Sequence, residues 1–400
     1  MSNLITKRII EEIAESIDIP DSSYETAERR YKDLSKWFGR PEARCSIFDP
    51  HLYAQGSFRL GTVIRPIDAN GEYDLDMGCR LRTGITKASH TQRQLKHLVG
   101  DDLEDYRVAR GIEEEREERR RCWRLKYADT LKFHLDMVPS IPEEAPRRQM
   151  IKEAMVMSGS ADTLAQAVAD MAGAITDNTL KSYPVISDDW RISNSEGYAL
   201  WFESRMELAK ILLEKWAIAA KEARLDKLPL FKRKSPLQRC VQILKRHRDA
   251  MFINDPKEKP TSVIITMLAG AAYQGEADID DALNRILTDM GSLVRQTKPR
   301  VPNPVNPNED FADKWYDPAN RHLNLEQNFL NWLEQAKADF LAIGNARNAE
   351  LIVEQASERF AVKLNADDLQ KRLGLEAINI DATPKHHVIA ATPPKPWRRA

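Results

Sequence analysis

Two clusters in this sequence combine residue types suited to phosphate chemistry. The first is Ala54-Gln55-Gly56-Ser57-Phe58-Arg59-Leu60-Gly61-Thr62; the second, after a short insertion, is Glu72-Tyr73-Asp74-Leu75-Asp76-Met77. Strand periodicity puts Asp74 and Asp76 on one face while Tyr73, Leu75 and Met77 point into a core. Two carboxylates that close raise each other's pKa and oppose folding unless something positive separates them. A divalent cation with oxygen ligands supplies that charge. The Gly56-Ser57 turn adds a hydroxyl and backbone N–H groups that suit phosphate oxygens. Together the clusters sketch a metal-dependent nucleotide site. Neither half is specific alone, since Asp-x-Asp at a solvated strand end and Gly-Ser turns are both common. A third carboxylate would decide.

A hairpin further on offers one. Trp123, Leu125 and Tyr127 alternate, Asp129-Thr130 can turn, and Leu131, Phe133, Leu135 and Met137 alternate again. With those apolar residues facing the core, Lys132, His134 and Asp136 share the opposite face. Asp136 therefore meets the requirement for a third ligand beside Asp74 and Asp76. Hard cations prefer oxygen, so His134 reads as a strand-surface histidine. Val138-Pro139-Ser140-Ile141-Pro142 ends the strand.

These strands must sit in a larger frame. The chain has 400 residues, which points to two lobes. An apolar fraction of 42%, 30% charged residues and a mean hydropathy of -0.53 describe a soluble protein. No run of about 18 apolar residues occurs, and Met1 to Arg8 lacks a signal-peptide pattern, so the expectation is a cytoplasmic protein without a membrane span. Cys45, Cys79, Cys122 and Cys240 are isolated and suggest neither a disulfide framework nor a zinc site. Sixty basic residues against 61 acidic give a formal net charge of -1. No long nucleic acid is expected as substrate; local runs such as Lys232-Arg233-Lys234 and Lys245-Arg246-His247-Arg248 fit a small polyanion better.

Residues 3 to 17 carry a helical stripe, and Ser22-Ser23-Tyr24-Glu25 reads as a capping box opening a helix to about Phe38. Leu95 to Arg110 is helical by pattern. The charged run Glu113 to Arg121 pairs Glu115 with Arg119 and Glu117 with Arg121 at helical spacing, which predicts a solvated helical face. Residues 143 to 180 predict a helix, and Tyr183 to Ser187 the last strand of the first lobe. Glu196 to Ala223 reads as one long helix. Ser235-Pro236 starts another, with Leu237, Val241 and Leu244 as its buried stripe and Lys245 and Arg248 at the edge. Pro260-Thr261-Ser262 opens the helix Val263 to Tyr273. A loop follows with Pro302, Pro304 and Pro307, then helices from about Leu325 to Phe360, and beyond Asp381 a flexible tail. The tryptophans read as packing residues.

Gly56-Ser57, Asp74-x-Asp76 and His134-Leu135-Asp136-Met137-Val138-Pro139 together resemble the polymerase-β-like nucleotidyltransferase superfamily. Within it the chain looks like the bacterial cyclic-oligonucleotide synthases (CD-NTases) of anti-phage signalling, relatives of cyclic GMP-AMP synthase and oligoadenylate synthase. The strings Trp190 to Tyr198, Leu244 to Asp249 and Asn303 to Trp315 carry that narrower likeness. One departure is the insertion Arg65-Pro66-Ile67-Asp68-Ala69-Asn70-Gly71, which makes the gap from Ser57 to Asp74 longer than in the simplest members. Asp68 in it is easily mistaken for a ligand.

The resemblance implies an α+β fold with two lobes. Residues 1–194 would form the nucleotidyltransferase core, a mixed β-sheet palm with flanking helices. Residues 195–365 would form a C-terminal helical lobe closing the nucleotide cleft, and 366–400 a partly flexible tail. It implies transfer of a nucleotidyl group from an NTP to a hydroxyl with loss of pyrophosphate, giving a cyclic di- or trinucleotide second messenger. Asp74, Asp76 and Asp136 would hold two Mg²⁺ ions, with Mn²⁺ as the alternative, and Asp136 would help deprotonate the attacking hydroxyl. Gly56 and Ser57 would hold the donor's β- and γ-phosphates, Lys245 and Ser262 the triphosphate, and Asp310 a base. The implied partners are ATP and other NTPs, plus a ubiquitin-transfer-like conjugating enzyme or a HORMA-type regulator at the tail. Two other functions use the same residues: template-independent transfer to RNA ends or a protein hydroxyl, and an inactive nucleotide-binding scaffold.

Overall fold

A computed structural model describes residues 2–68, 71–127, 133–206, 234–345 and 349–373. Contacts divide the chain into two compact units: Ile19–Gln238 with Gln296–Phe311, and Met1–Asp18 with Arg239–Arg295 and Ala312–Ala400. This division differs from the 194/195 boundary read from the sequence. The first helix packs with the helical unit, and the segment after Ser195 stays with the sheet.

The sheet unit is built on seven strands: β1 (Pro50–Ala54), β2 (Tyr73–Leu81), β3 (Glu117–Glu118), β4 (Trp123–Lys126), β5 (Phe133–Pro142), β6 (Gly173–Ile175) and β7 (Arg191–Ser193). The path runs β1-β2-β5-β4-β3, with β6 on the far half of β5 and β7 on β6. β2 and β5 are parallel and the other pairs antiparallel, so the sheet is mixed. The alternation in β2 and β5 buries Leu75, Met77, Phe133, Leu135 and Met137. Against that face pack α2 (Asp21–Phe38), through Tyr31, Leu34 and Phe38, and Leu95, Val99 and Leu103 of the helix Gln92–Ala109. Burying one face this completely pins the register, because a one-residue slip would send every apolar side chain to the other side. The polar face is thereby fixed as well.

Other helices of this unit are α3 (Gly56–Leu60), α4 (Gln92–Ala109), α5 (Ala145–Met157), α6 (Asp162–Asp170) and α7 (Ser195–Arg205). Thr91 and Gln94 close a capping box on α4. The box expected at Ser22 does not form: α2 begins at Asp21 behind Pro20, with no side-chain cap. The run 113–121 is not a helix. Glu117 and Glu118 form an edge strand, Arg119 pairs with Glu117, and Arg120 and Arg121 both reach the buried Asp177. A carboxylate with 0% exposure recruits charge from far along the chain, and that outweighs helical spacing. Tyr183 to Ser187 forms no strand; the sheet closes instead with β6 and β7. The single helix expected over 143–180 is two helices and a strand. The proline-rich loop folds as a hairpin of β8 (Pro302–Asn303) and β9 (Asn306–Asp310).

In the helical unit, α1 (Ser2–Ile17) buries Ile9, Ile13 and Ile17. It joins α8 (Pro236–Met251), α9 (Ser262–Ala272), α10 (Ile279–Asp289), α11 (Leu325–Asn345), α12 (Ala349–Phe360) and α13 (Ala366–Leu373). Ser235 caps α8 as expected, accepting from Gln238 N–H at 3.2 Å, and Gln238 Oε1 accepts in return from Ser235 N–H at 2.8 Å. The hairpin turn at Asp129-Thr130, the helix beyond residue 206, Lys232-Arg233 and the tail lie outside the described residues. Among the described residues no helix is long and apolar enough to cross a membrane.

Candidate active site

The polar face of β2 and β5 carries the acids. Parallel pairing sets Asp76 opposite Asp136 and Asp74 opposite His134, on strands about 4.8 Å apart. Asp136 thus stands beside Asp76 by backbone register, with no help from loops. Asp74 is exposed, Asp76 and Asp136 half-buried.

The turn that accompanies them is bolted to the same strand. Gln55 N–H donates to the Asp76 carbonyl at 2.9 Å, and its Nε2 donates to the Met77 carbonyl at 3.1 Å. Its Oε1 accepts from Ser195 Oγ at 2.7 Å, tying in the start of α7. Gly56 follows at φ +66, and a Cβ there would lie 2.1 Å from Asp76 Oδ2. Only glycine lets the backbone approach the carboxylate this closely. Gly56 and Ser57 begin α3, whose Arg59 forms a buried ion pair with Glu203 of α7. Nearby, burial pushes the Glu196 carboxyl up, but Arg80 at 2.8 Å and His51 at 2.9 Å outweigh it and hold the group below the usual carboxylate range.

The electrostatics of the face are set by three neighbours. Arg124 of β4 lies in register with Asp136 and grips it with both arms, Nε to Oδ1 and Nη2 to Oδ2, each at 2.6 Å. That pair holds the Arg124 guanidinium above its ordinary range. His134 Nε2 is 2.5 Å from Glu72, and its Nδ1 is 3.6 Å from Asp74. Cys122 is pushed up to about 12, first by burial and then by Asp136, so its thiol stays protonated.

The remaining expected site residues are on other elements. Lys245 is on α8, where residues 241 to 248 are buried throughout. This overturns the expectation of a helix edge. Each charge there needs a partner, and several are visible: His247 meets Asp339 at 3.0 Å, and Arg248 meets Asp249 at 2.7 Å. Arg248 Nη1 also donates to Ser262 Oγ at 2.8 Å, so the structure brings Arg248 and Ser262 together one helical turn beyond Lys245. Asp310 accepts from the backbone N–H groups of Arg300 at 2.6 Å and Val301 at 2.9 Å. Its carboxylate closes the β8–β9 hairpin. In the insertion, Gly71 N–H donates to the Asp68 carbonyl at 2.9 Å, a turn as expected.

Residues 50–139, the span from β1 through the body of β5, match the family model of the cyclic GMP-AMP synthase DncV-like nucleotidyltransferase domain. Over that span the chain is similar to DncV-like nucleotidyltransferases. A c-di-GMP synthase of Roseivirga ehrenbergii is 24% identical to this chain over 342 residues, covering 84% of this chain and 79% of that protein. The cyclic dinucleotide synthase CdnG of Bradyrhizobium diazoefficiens is 25% identical over 358 residues, covering 82% and 75%. The solved structure of CdnG in complex with GTP covers 92% of this chain and 98% of its own, with a TM-score of 0.61 at 20% identity. The CdnC:HORMA-deltaN complex of Escherichia coli MS115-1 gives 0.54 at 14%, covering 88% and 96%. The fold is the one these enzymes share.

Nucleotidyltransferases of this fold use divalent metals, and the residues present fit one. The donors Asp74, Asp76 and Asp136 are all oxygen, which suits a hard cation, and the cradle at Gly56 is one that a Cβ would fill. Sequence reasoning missed Arg124, Gln55 with Ser195, and the Arg59–Glu203 pair. For Arg124 a signal existed: in the Trp123-Leu125-Tyr127 alternation it falls on the polar face, where hairpin pairing sets it against Asp136.

Proposed function

We propose that this nucleotidyltransferase joins nucleoside triphosphates into a cyclic dinucleotide, releasing pyrophosphate, as a second messenger of anti-phage defence. A cyclic trinucleotide is the alternative product. The observation that carries this is the register of Asp76 with Asp136 on parallel strands, beside a glycine whose missing Cβ lets the turn backbone approach Asp76. When bound, two divalent cations, Mg²⁺ or alternatively Mn²⁺, supply charge stabilisation of the attacking and leaving oxygens. Asp74, Asp76 and Asp136 hold them. Asp136 accepts the proton of the attacking ribose hydroxyl, for which a carboxylate within hydrogen-bond reach suffices. Backbone N–H groups at Gly56-Ser57 and the Ser57 hydroxyl bind the β- and γ-phosphates. Lys245 and Ser262 are the helical unit's candidates for the triphosphate. Asp310 would act on base recognition through the hairpin it closes. GTP is the first substrate to test, since one relative is a c-di-GMP synthase and another was solved with GTP. A HORMA-type regulator is a candidate partner, in view of the CdnC complex.

The test is incubation of the purified chain with labelled NTPs and Mg²⁺ or Mn²⁺, followed by phosphatase. A phosphatase-resistant small product that disappears in Asp74→Asn/Asp76→Asn is expected. Label transferred to RNA or to protein would replace this function with end transfer. Absence of turnover by any preparation would point to a scaffold.

A further inference from the structure

The carboxylate face continues past Asp136. Strand pairing sets Asp76 beside Asp136, Asp136 beside Arg124, and Arg124 beside Glu117. Four charged residues thus form one row across four strands, and Arg124 is its only cation. Its fork takes both oxygens of Asp136 at 2.6 Å, the geometry of a strong charge-assisted pair. The pair is only partly covered, with side-chain exposures of 22% and 17%, so the guanidinium has somewhere to go. The backbone beneath it does not move as easily. Trp123 and Leu125, its neighbours on β4, are buried, and Trp123 Nε1 donates to the Lys96 carbonyl at 2.8 Å.

A divalent cation ligated by Asp136 at about 2.1 Å would sit close to that guanidinium, and like charges at such separations repel strongly in a partly desolvated site. Grip by Arg124 and ligation of a cation are therefore antagonistic. We propose that Arg124 is a positioning residue that competes with the divalent cation for Asp136 and so sets the cation concentration at which the site loads. On loading, the side chain leaves Asp136 and turns toward Glu117, the next member of the row. The inference rests on the metal-binding reading of Asp74, Asp76 and Asp136.

The experiment is a Mn²⁺ titration of the full chain without nucleotide, with free Mn²⁺ counted by electron paramagnetic resonance. Wild type, Arg124→Gln, Arg124→Lys and Asp76→Asn are compared. Arg124→Gln is expected to bind Mn²⁺ about tenfold more tightly than wild type, because the competing charge is gone. Arg124→Lys keeps the charge without the fork and should fall between them. An Arg124→Gln affinity equal to or weaker than wild type would overturn the inference, since Arg124 would then be holding Asp136 ready for the metal. Should Arg124→Gln not fold, Arg124→Lys decides: threefold or more tighter binding supports competition, and anything less rejects it. Failure of the underlying reading looks different. In that case wild type binds no Mn²⁺, or Asp76→Asn binds it as well as wild type.

Discussion

Two places in this chain gather three carboxylates, and they teach opposite lessons. Asp278, Asp280 and Asp281 bring ligand oxygens within 4.8 Å of one another, and they are the only such set among the described residues. Asp74, Asp76 and Asp136 converge less. Yet the tighter cluster has an ordinary cause. Asp278 precedes α10, and Asp280 and Asp281 stand in its first turn, where the helix dipole favours negative charge. Lys7 pairs with Asp278 as well. On the sheet no helix dipole acts, because strand dipoles largely cancel, and Asp136 is met instead by the fork of Arg124. There Asp76 and Asp136 stand in register on parallel strands, with a glycine at positive φ against Asp76. Proximity counts for less than whether the scaffold already accounts for the charge.

The comparison can be broken outright. Asp76→Asn or Asp136→Asn should cut product formation by about 10³-fold, by analogy with losing one preorganised electrostatic group. Quantifying cyclic product by chromatography checks this. Asp280→Asn should leave synthesis within about twofold. If the two substitutions were equally harmful, the distinction between the clusters would be lost.

The next largest effect lies in what anchors the turn. Arg59 and Glu203 are 6% and 3% exposed, so Glu203→Gln removes a buried carboxylate that pairs with the guanidinium. We expect a loss of about 3–5 kcal/mol in unfolding free energy, read by urea titration. An Arg59→Met/Glu203→Leu double variant should recover much of it. Gly56→Ala comes third. Its Cβ meets Asp76 and its φ of +66 is strained for alanine, costing about 1–3 kcal/mol. Because the clash is with a carboxylate proposed to hold the metal, activity should fall by about 10- to 100-fold while the melting temperature changes little. A fall in stability without a fall in activity would show the turn to be scaffold only.

How much of this was visible in the sequence follows from which forces are local. Strand alternation is local, so β2, β4 and β5 and the face each carboxylate takes were legible from residue types alone. Pairing of β2 with β5 is not local, since the segments are joined through α4 and the edge strand. The register that puts Asp76 beside Asp136 is therefore seen only in the fold. Misreadings share a cause. Glu113 to Arg121 has helical charge spacing, but Asp177, far along the chain, claims two of its arginines. Lys245 to Arg248 looked like a helix edge, yet His247 and Arg248 find buried partners in Asp339 and Asp249. Tyr183 to Ser187 has strand composition but no strand pairs with it; Arg191–Ser193 closes the sheet instead. In each case a tertiary partner that local pattern cannot show decided the outcome.

The smallest expected effect sharpens the comparison through pH. Burial, then Asp281 and Asp278, raise the Asp280 carboxyl above its ordinary 3.8, against the pull of backbone N–H groups at the start of α10. A carboxyl raised in the folded state binds its proton more tightly there than in the unfolded chain. Its contribution to stability is complete below about pH 4 and is lost as pH climbs through the raised folded value. Asparagine stays neutral throughout, so wild type and Asp280→Asn should melt together near pH 3.5, and wild type should fall behind as pH rises to 7. The gap should be under about 1 kcal/mol, because the group is only partly buried. Calorimetric melting in the presence of a chelator reads it. Were this cluster a cation site instead, adding Mg²⁺ at pH 7 would stabilise wild type and not the variant. The expectation here is that Mg²⁺ shifts both proteins alike, through the carboxylates on the sheet.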